Sequence, residues 1–198
     1  MDASTRAANA AALKQKAGEL IGRTGLMALF DAWFGTSALT GSAGYDLMVW
    51  PDIDIHMPVA PERRAEYLAL ILEINQRLVS AGMRLHRSHF WDDYVDPHPL
   101  GAGLYWGIEL RDDEDTPWKL DLWGWAPEDY QKRQARDAEL RRALAAADRD
   151  LILRLKTEAR EKPGYYGAIV TSWDVYQFVI AGAGDSLTAL EDWKRERS

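Results

Sequence analysis

The chain contains no cysteine, which excludes a disulfide framework, a thiolate metal site and a cysteine nucleophile. Its stability must come from packing. No stretch approaches the roughly 18 apolar residues that a membrane-crossing helix needs. The first twenty residues are interrupted by Asp2, Arg6, Lys14, Lys16 and Glu19, so the expectation is a soluble, cytoplasmic protein with no membrane partner. Basic residues are outnumbered, 24 Lys and Arg against 31 Asp and Glu, for a net charge of −7. Affinity for a nucleic-acid backbone comes mainly from Lys and Arg, so a nucleic-acid partner is not expected, although a local basic patch could exist within an acidic whole. Neither Gly-x-x-x-x-Gly-Lys-Ser/Thr nor Gly-x-Gly-x-x-Gly occurs, which leaves no P-loop and no dinucleotide-binding fingerprint. There is no internal repeat.

What is present is a large apolar inventory. Hydrophobic residues make up 47% of the 198 positions, nine tryptophans and eight tyrosines among them, enough to bury a substantial core in one large domain or one domain with a helical appendage. Periodicity predicts helices over residues 3–22 and 26–34, a short strand over 36–40, a helix over 62–81 and strands over 83–91, 104–110 and 118–123. The last two strands form a hairpin around the acidic tip Arg111-Asp112-Asp113-Glu114-Asp115-Thr116-Pro117. That tip lacks the glycine and ligand spacing of a calcium loop and reads as a solvated turn. From Pro127 a long charged helix continues to about residue 162, stopped by Pro163 and Gly164, and Ser172 caps a further helix that breaks at 182–184 and resumes at Ser186. The division expected is 1–126, carrying the sheet, and 127–198, a helical region packed on it.

The stretch with the most chemistry is LTGSAGYDLMVWPDIDIHM, residues 39–57. On a strand, Asp52 and Asp54 point to one face and Ile53 and Ile55 to the other. Gly41 permits a tight turn and close backbone approach, and Ser42 adds a hydroxyl beside backbone N–H groups able to cradle phosphate.

Gly-Ser, then nine residues, then Asp-Ile-Asp between apolar positions resembles the nucleotidyltransferase superfamily related to DNA polymerase beta, over roughly residues 30–125. SWDVYQFVIAGAG is similar to a helical segment downstream of the catalytic sheet in some proteins of that kind. The resemblance implies an α+β fold: a nucleotidyltransferase-like mixed β-sheet with helices packed on one face and a C-terminal helical segment. It implies that Gly41 and Ser42 hold a nucleoside triphosphate such as ATP. Asp52 and Asp54, with Asp121 of WKLDLWGW as the third acid, would hold two magnesium ions, manganese being an alternative. The reaction implied is transfer of a nucleoside monophosphate to a hydroxyl of a small-molecule acceptor. The rival from another class is an inactive module of the same fold that binds a protein partner, as antitoxins do.

Other residues carry two readings. Lys119 shares a face with Asp121 and is either a triphosphate ligand or the partner of Asp121 in a plain ion pair. His56 lies on the acid face, near the metals or simply paired with an acid. His86, His89 and His98 lack a recognised zinc spacing. Ser42 lacks a nucleophile-elbow context, since Thr40 stands where the first glycine is required. Of Trp91, Trp106, Trp118, Trp123 and Trp125, most should be core and one or two could line a site.

Overall fold

Gly25 takes the left-handed conformation (φ 61°) and donates its N–H to the Ile21 carbonyl, so one glycine ends α1 (Ala3–Thr24) and starts α2 (Leu26–Phe34). In this computed structural model, which describes residues 1–96 and 101–197, a five-stranded sheet follows: β1 (Ala38–Thr40), β2 (Asp52–Pro58), β3 (Arg84–Asp92), β4 (Gly103–Arg111) and β5 (Pro117–Trp125). The spatial order is β1-β2-β5-β4-β3. β2 and β5 are parallel, and the pairs β1–β2, β4–β5 and β3–β4 are antiparallel. The protein is therefore α+β with a mixed sheet. A short turn of helix, α3 (Gly41–Gly44), links β1 to the loop before β2, and α4 (Arg64–Ser80) crosses from β2 to β3.

One face of the sheet is apolar because β2 and its neighbours alternate. Ile53, Ile55, Met57, Leu104, Ile108, Leu120 and Leu122 bury against Leu20 of α1, Phe30 of α2 and Leu70, Ile74 and Leu78 of α4. Tyr67 of α4 spans the layer and donates its hydroxyl to the Leu122 carbonyl at 2.8 Å, which satisfies a polar group that burial would otherwise leave unpaired.

The C-terminal helices form a second apolar cluster on the opposite side. They are α5 (Pro127–Ala146), α6 (Arg149–Glu161), α7 (Ser172–Ile180) and α8 (Leu187–Arg195). Leu140, Leu144, Ile152, Leu155, Val175, Phe178 and Leu190 bury together, joined by Leu47 from the loop before β2 and Ala10 of α1.

Two expectations change here. The long helix from Pro127 is two helices, because Asp148 takes extended geometry and its side chain accepts from the Leu151 N–H, capping α6. The cap of α7 is Thr171, not Ser172: Thr171 and Asp174 form a reciprocal capping box. The acid face is covered at its β2 end by α5 and α6, as the contacts below describe. His98 lies outside the described residues.

Candidate active site

Parallel pairing of β2 with β5 sets Asp52 opposite Lys119, Asp54 opposite Asp121 and His56 opposite Trp123. Residues opposite each other share a face, so the three acids expected from the sequence meet on two adjacent strands. On the far side of β2, Thr40 pairs with Asp54, and the chain turns at once into α3. Gly41 has φ 59°, and a Cβ there would overlap the Asp54 carboxylate. Glycine is required on both counts. Ser42 is buried, and its Oγ has no hydrogen-bond partner among the described residues.

The electrostatics of the cluster are unfavourable as it stands. Burial, and then the negative charges of Asp52 and Asp121, hold the Asp54 pKa well above the ordinary carboxylate range. Asp52 is raised as well, by burial first and Asp121 second, against the pull of Lys119. Asp52 Oδ1 is shut off from solvent without a hydrogen-bond partner among the described residues. Asp121 differs from the other two because both of its oxygens are engaged: Oδ1 accepts from the Tyr105 hydroxyl at 2.6 Å and Oδ2 from Lys119 Nζ at 2.6 Å. Burial works against the Lys119 charge, but the adjacent Asp121 outweighs it and the Lys119 pKa is raised. Among the described residues, no three His, Asp or Glu side chains are already gathered as a metal-binding group.

One residue that sequence reasoning missed is Lys156 of α6. It is completely buried, donates to the Leu47 carbonyl at 2.6 Å and to the Tyr176 hydroxyl at 3.2 Å, and lies 5.0 Å from the Trp50 ring centre. Burial lowers its pKa to about 7, although Asp52 and Asp54 pull it upward. The available signal was its place at i+4 from Ile152 and i−3 from Ala159, a lysine on the apolar stripe of a helix. Tyr105 was also missed.

His56 is neutral, its pKa lowered to about 3 by burial and by the nearby positive charge of Arg133. The tryptophans divide differently from the expectation that most are core: Trp118 is in the apolar core and Trp106 packs on it, whereas Trp91, Trp123 and Trp125 form a row with His56 and Tyr105 on the acid face. Trp118 and Trp125 are buried, while Trp123 stacks on Trp125 (4.7 Å, 2° between planes) and on Tyr105 (4.2 Å). Trp91 is half exposed at the far edge of that row, next to His89 and Tyr105. His89 lies across Gly107, where a Cβ would collide with its ring.

Two cavities open at opposite ends of the acid row. One of about 360 Å³ is lined by Lys119, Arg160, Trp50 and His86. The other, about 540 Å³, is lined by His56, Thr40, Arg133, Arg136 and Trp173. No helix of the described residues is long and apolar enough to cross a membrane. Comparison of the sequence with family models and with curated proteins finds no match.

Proposed function

We propose that the chain is a metal-dependent nucleotidyltransferase, moving a nucleoside monophosphate from a nucleoside triphosphate to a hydroxyl of a small molecule. The observation that carries this reading is the in-register meeting of Asp54 and Asp121 across β2 and β5, with Asp52 on the same face and Gly41 packed on Asp54.

The residues fit a divalent cation. Carboxylate oxygens are the hard donors that magnesium and manganese take, Asp52 Oδ1 lacks a partner among the described residues, and Asp54 is held in a setting that disfavours its charge. Two bound ions would neutralise triphosphate charge and make the acceptor hydroxyl more acidic. Asp52 and Asp54 would hold the ion that accompanies the triphosphate, and Asp121 would share in the second. For Asp121 to do so Lys119 must release it, which frees the Lys119 ammonium for a phosphate oxygen. Lys119 and Arg160 make the smaller cavity the place for the nucleotide, and Ser42 supplies a hydroxyl to its phosphates. The acceptor oxygen attacks the α-phosphorus, a new P–O bond forms, and the bond to pyrophosphate breaks as the acceptor proton leaves.

The test is incubation with each labelled nucleoside triphosphate, magnesium or manganese, and a panel of hydroxyl acceptors. The expected result is divalent-dependent pyrophosphate release and a nucleotidylated product, both lost in Asp54→Asn. A second reading, an inactive binding module of this fold, is favoured by one observation: Lys119 and Tyr105 together satisfy Asp121 without any ion. Calorimetry that finds neither metal nor nucleotide binding would favour that reading.

A further inference from the structure

The larger cavity has a chemistry of its own. It lies beneath α5, beside His56, one step along β2 from Asp54 on the same face. Arg133 and Arg136, one helical turn apart, both line it. The acid on its wall, Asp137, is already answered: Oδ1 accepts from the Tyr45 hydroxyl at 2.5 Å and Oδ2 from Arg141 Nε at 2.6 Å. His56 Nδ1 also faces this region with no hydrogen-bond partner among the described residues. The lining is therefore net positive. Arg133 is held flat, 3.4 Å from the centre of the Trp125 ring, which pre-orients a planar donor.

The remaining wall mixes the hydroxyl residues Thr40 and Thr171 with Tyr45, Leu140 and Trp173. Leu140 is buried there, and Trp173, at the start of α7, leaves 57% of its surface exposed although it lines the cavity. A large exposed ring at the mouth of a cavity of about 540 Å³, within the usual size of a small-molecule site, offers a stacking surface.

We infer that this cavity binds a small ring compound bearing a carboxylate or phosphate, with the anion on Arg136, the Arg133 charge nearby, and the ring against Trp173. Its place as the acceptor subsite, presenting a ring hydroxyl toward Asp54, rests on the nucleotidyltransfer reading; the binding itself does not. Polycationic acceptors are disfavoured, because two guanidinium groups with a neutralised acid repel them.

Three matched probes test this with the full chain: 3-hydroxybenzoate, 3-hydroxybenzyl alcohol and 3-hydroxybenzylamine, which share a ring and hydroxyl and differ in charge. Binding is followed by titration calorimetry and by the His56 imidazole resonances. The benzoate should bind at least tenfold more tightly than the alcohol, and the amine weakest. Arg136→Glu and Trp173→Ala alter exposed side chains, so both should melt like the wild type while weakening the benzoate tenfold or more. Equal binding of the amine, or benzoate affinity unchanged in Arg136→Glu, overturns the inference. Magnesium-ATP is titrated into the same samples. Benzoate binding without any ATP binding leaves the cavity assigned and removes the transferase reading, whereas displacement of benzoate by ATP from the cavity overturns the acceptor role.

Discussion

On β2, Ile53, Ile55 and Met57 lie against α1, α2 and α4, while Asp52, Asp54 and His56, interleaved with them, lie toward the C-terminal helices. Both faces are largely withdrawn from water, with opposite consequences. On the first, burial removes apolar surface at about 25 cal/mol per Å² in favour of folding. On the second it raises the pKa of Asp52 and Asp54 and lowers that of Lys156, each shift recording a charge that folding has made less comfortable. A single strand thus holds a stabilising layer and a costly one back to back. The difference teaches that the acid face is not there for stability, since an apolar replacement of similar volume would serve that end better.

The largest effect should come from the stabilising side. Ile55→Ala removes a side chain with no exposed surface and should cost about 2–5 kcal/mol in urea unfolding; a loss below 1 kcal/mol would mean that the two faces do not differ as described. On the other side, Asp54→Asn should leave the metal-free protein as stable as the wild type at pH 7, or more so. The sign follows from its raised pKa: wild-type stability from this group is present below about pH 4 and lost as pH rises through the window up to the elevated folded value. The advantage of the variant should therefore shrink toward pH 4. Magnesium at a hundredfold excess over its Kd should stabilise the wild type by about 2.7 kcal/mol, and thermal melts at constant ionic strength should find most of that gain missing from Asp54→Asn. An equal shift in both proteins removes Asp54 as a ligand.

Lys156→Met sharpens the comparison from the roof. Its folded pKa of about 7 lies below that of an unfolded lysine near 10.4. The unfolded chain thus binds the proton more readily, and wild-type stability should climb between pH 7 and 9 by up to about 1.4 kcal/mol per unit. Methionine should flatten that climb, and identical slopes would show that Lys156 carries no such penalty. The smallest effect belongs to Ser42→Ala. Its Oγ has no partner among the described residues, so folding should be unchanged, while nucleotide affinity falls by about 0.5–1.5 kcal/mol and metal affinity does not. Calorimetry separates the two, and unchanged nucleotide affinity takes Ser42 out of the site.

Much of this arrangement was legible because it is written in short periods. Alternation at 52–57 assigned the two faces of β2, Gly41 was marked by its turn, and the 26–34 helix was read with the bounds it has, Leu26–Phe34. The hairpin of β4 and β5 followed from two alternating runs around an acidic tip. What stayed hidden depends on packing between distant segments. Asp148 follows three alanines within what reads as one long helix, and the geometry of its side chain reveals the cap. Lys156 stands on the apolar stripe of α6, but what it faces is set only when α6 is laid against Leu47. The hydrogen bond from Tyr105 to Asp121 is set by the register of β4 on β5, and the charge balance around His56 by the seating of α5, neither of which a local pattern encodes.

The parallel pairing of β2 and β5 has a consequence in time. β4 and β5 are neighbours in the chain and close a short turn, whereas Asp54 and Asp121 are separated by α4 and the whole β3–β4 hairpin. Loop closure over such a span is entropically unfavourable, and non-local pairings form slowly. The acid cluster is therefore expected to assemble late in refolding, after the hairpin that carries Asp121 and the tryptophans of β5. A stopped-flow experiment would register this order as tryptophan fluorescence recovering before magnesium or nucleotide binding returns, and simultaneous recovery would refute it. During that interval the half-made sheet would present β5, with Trp123 and Trp125 still uncovered, as an unpaired edge. The chain's exposure to misassociation would then be set by how quickly its own β2 arrives.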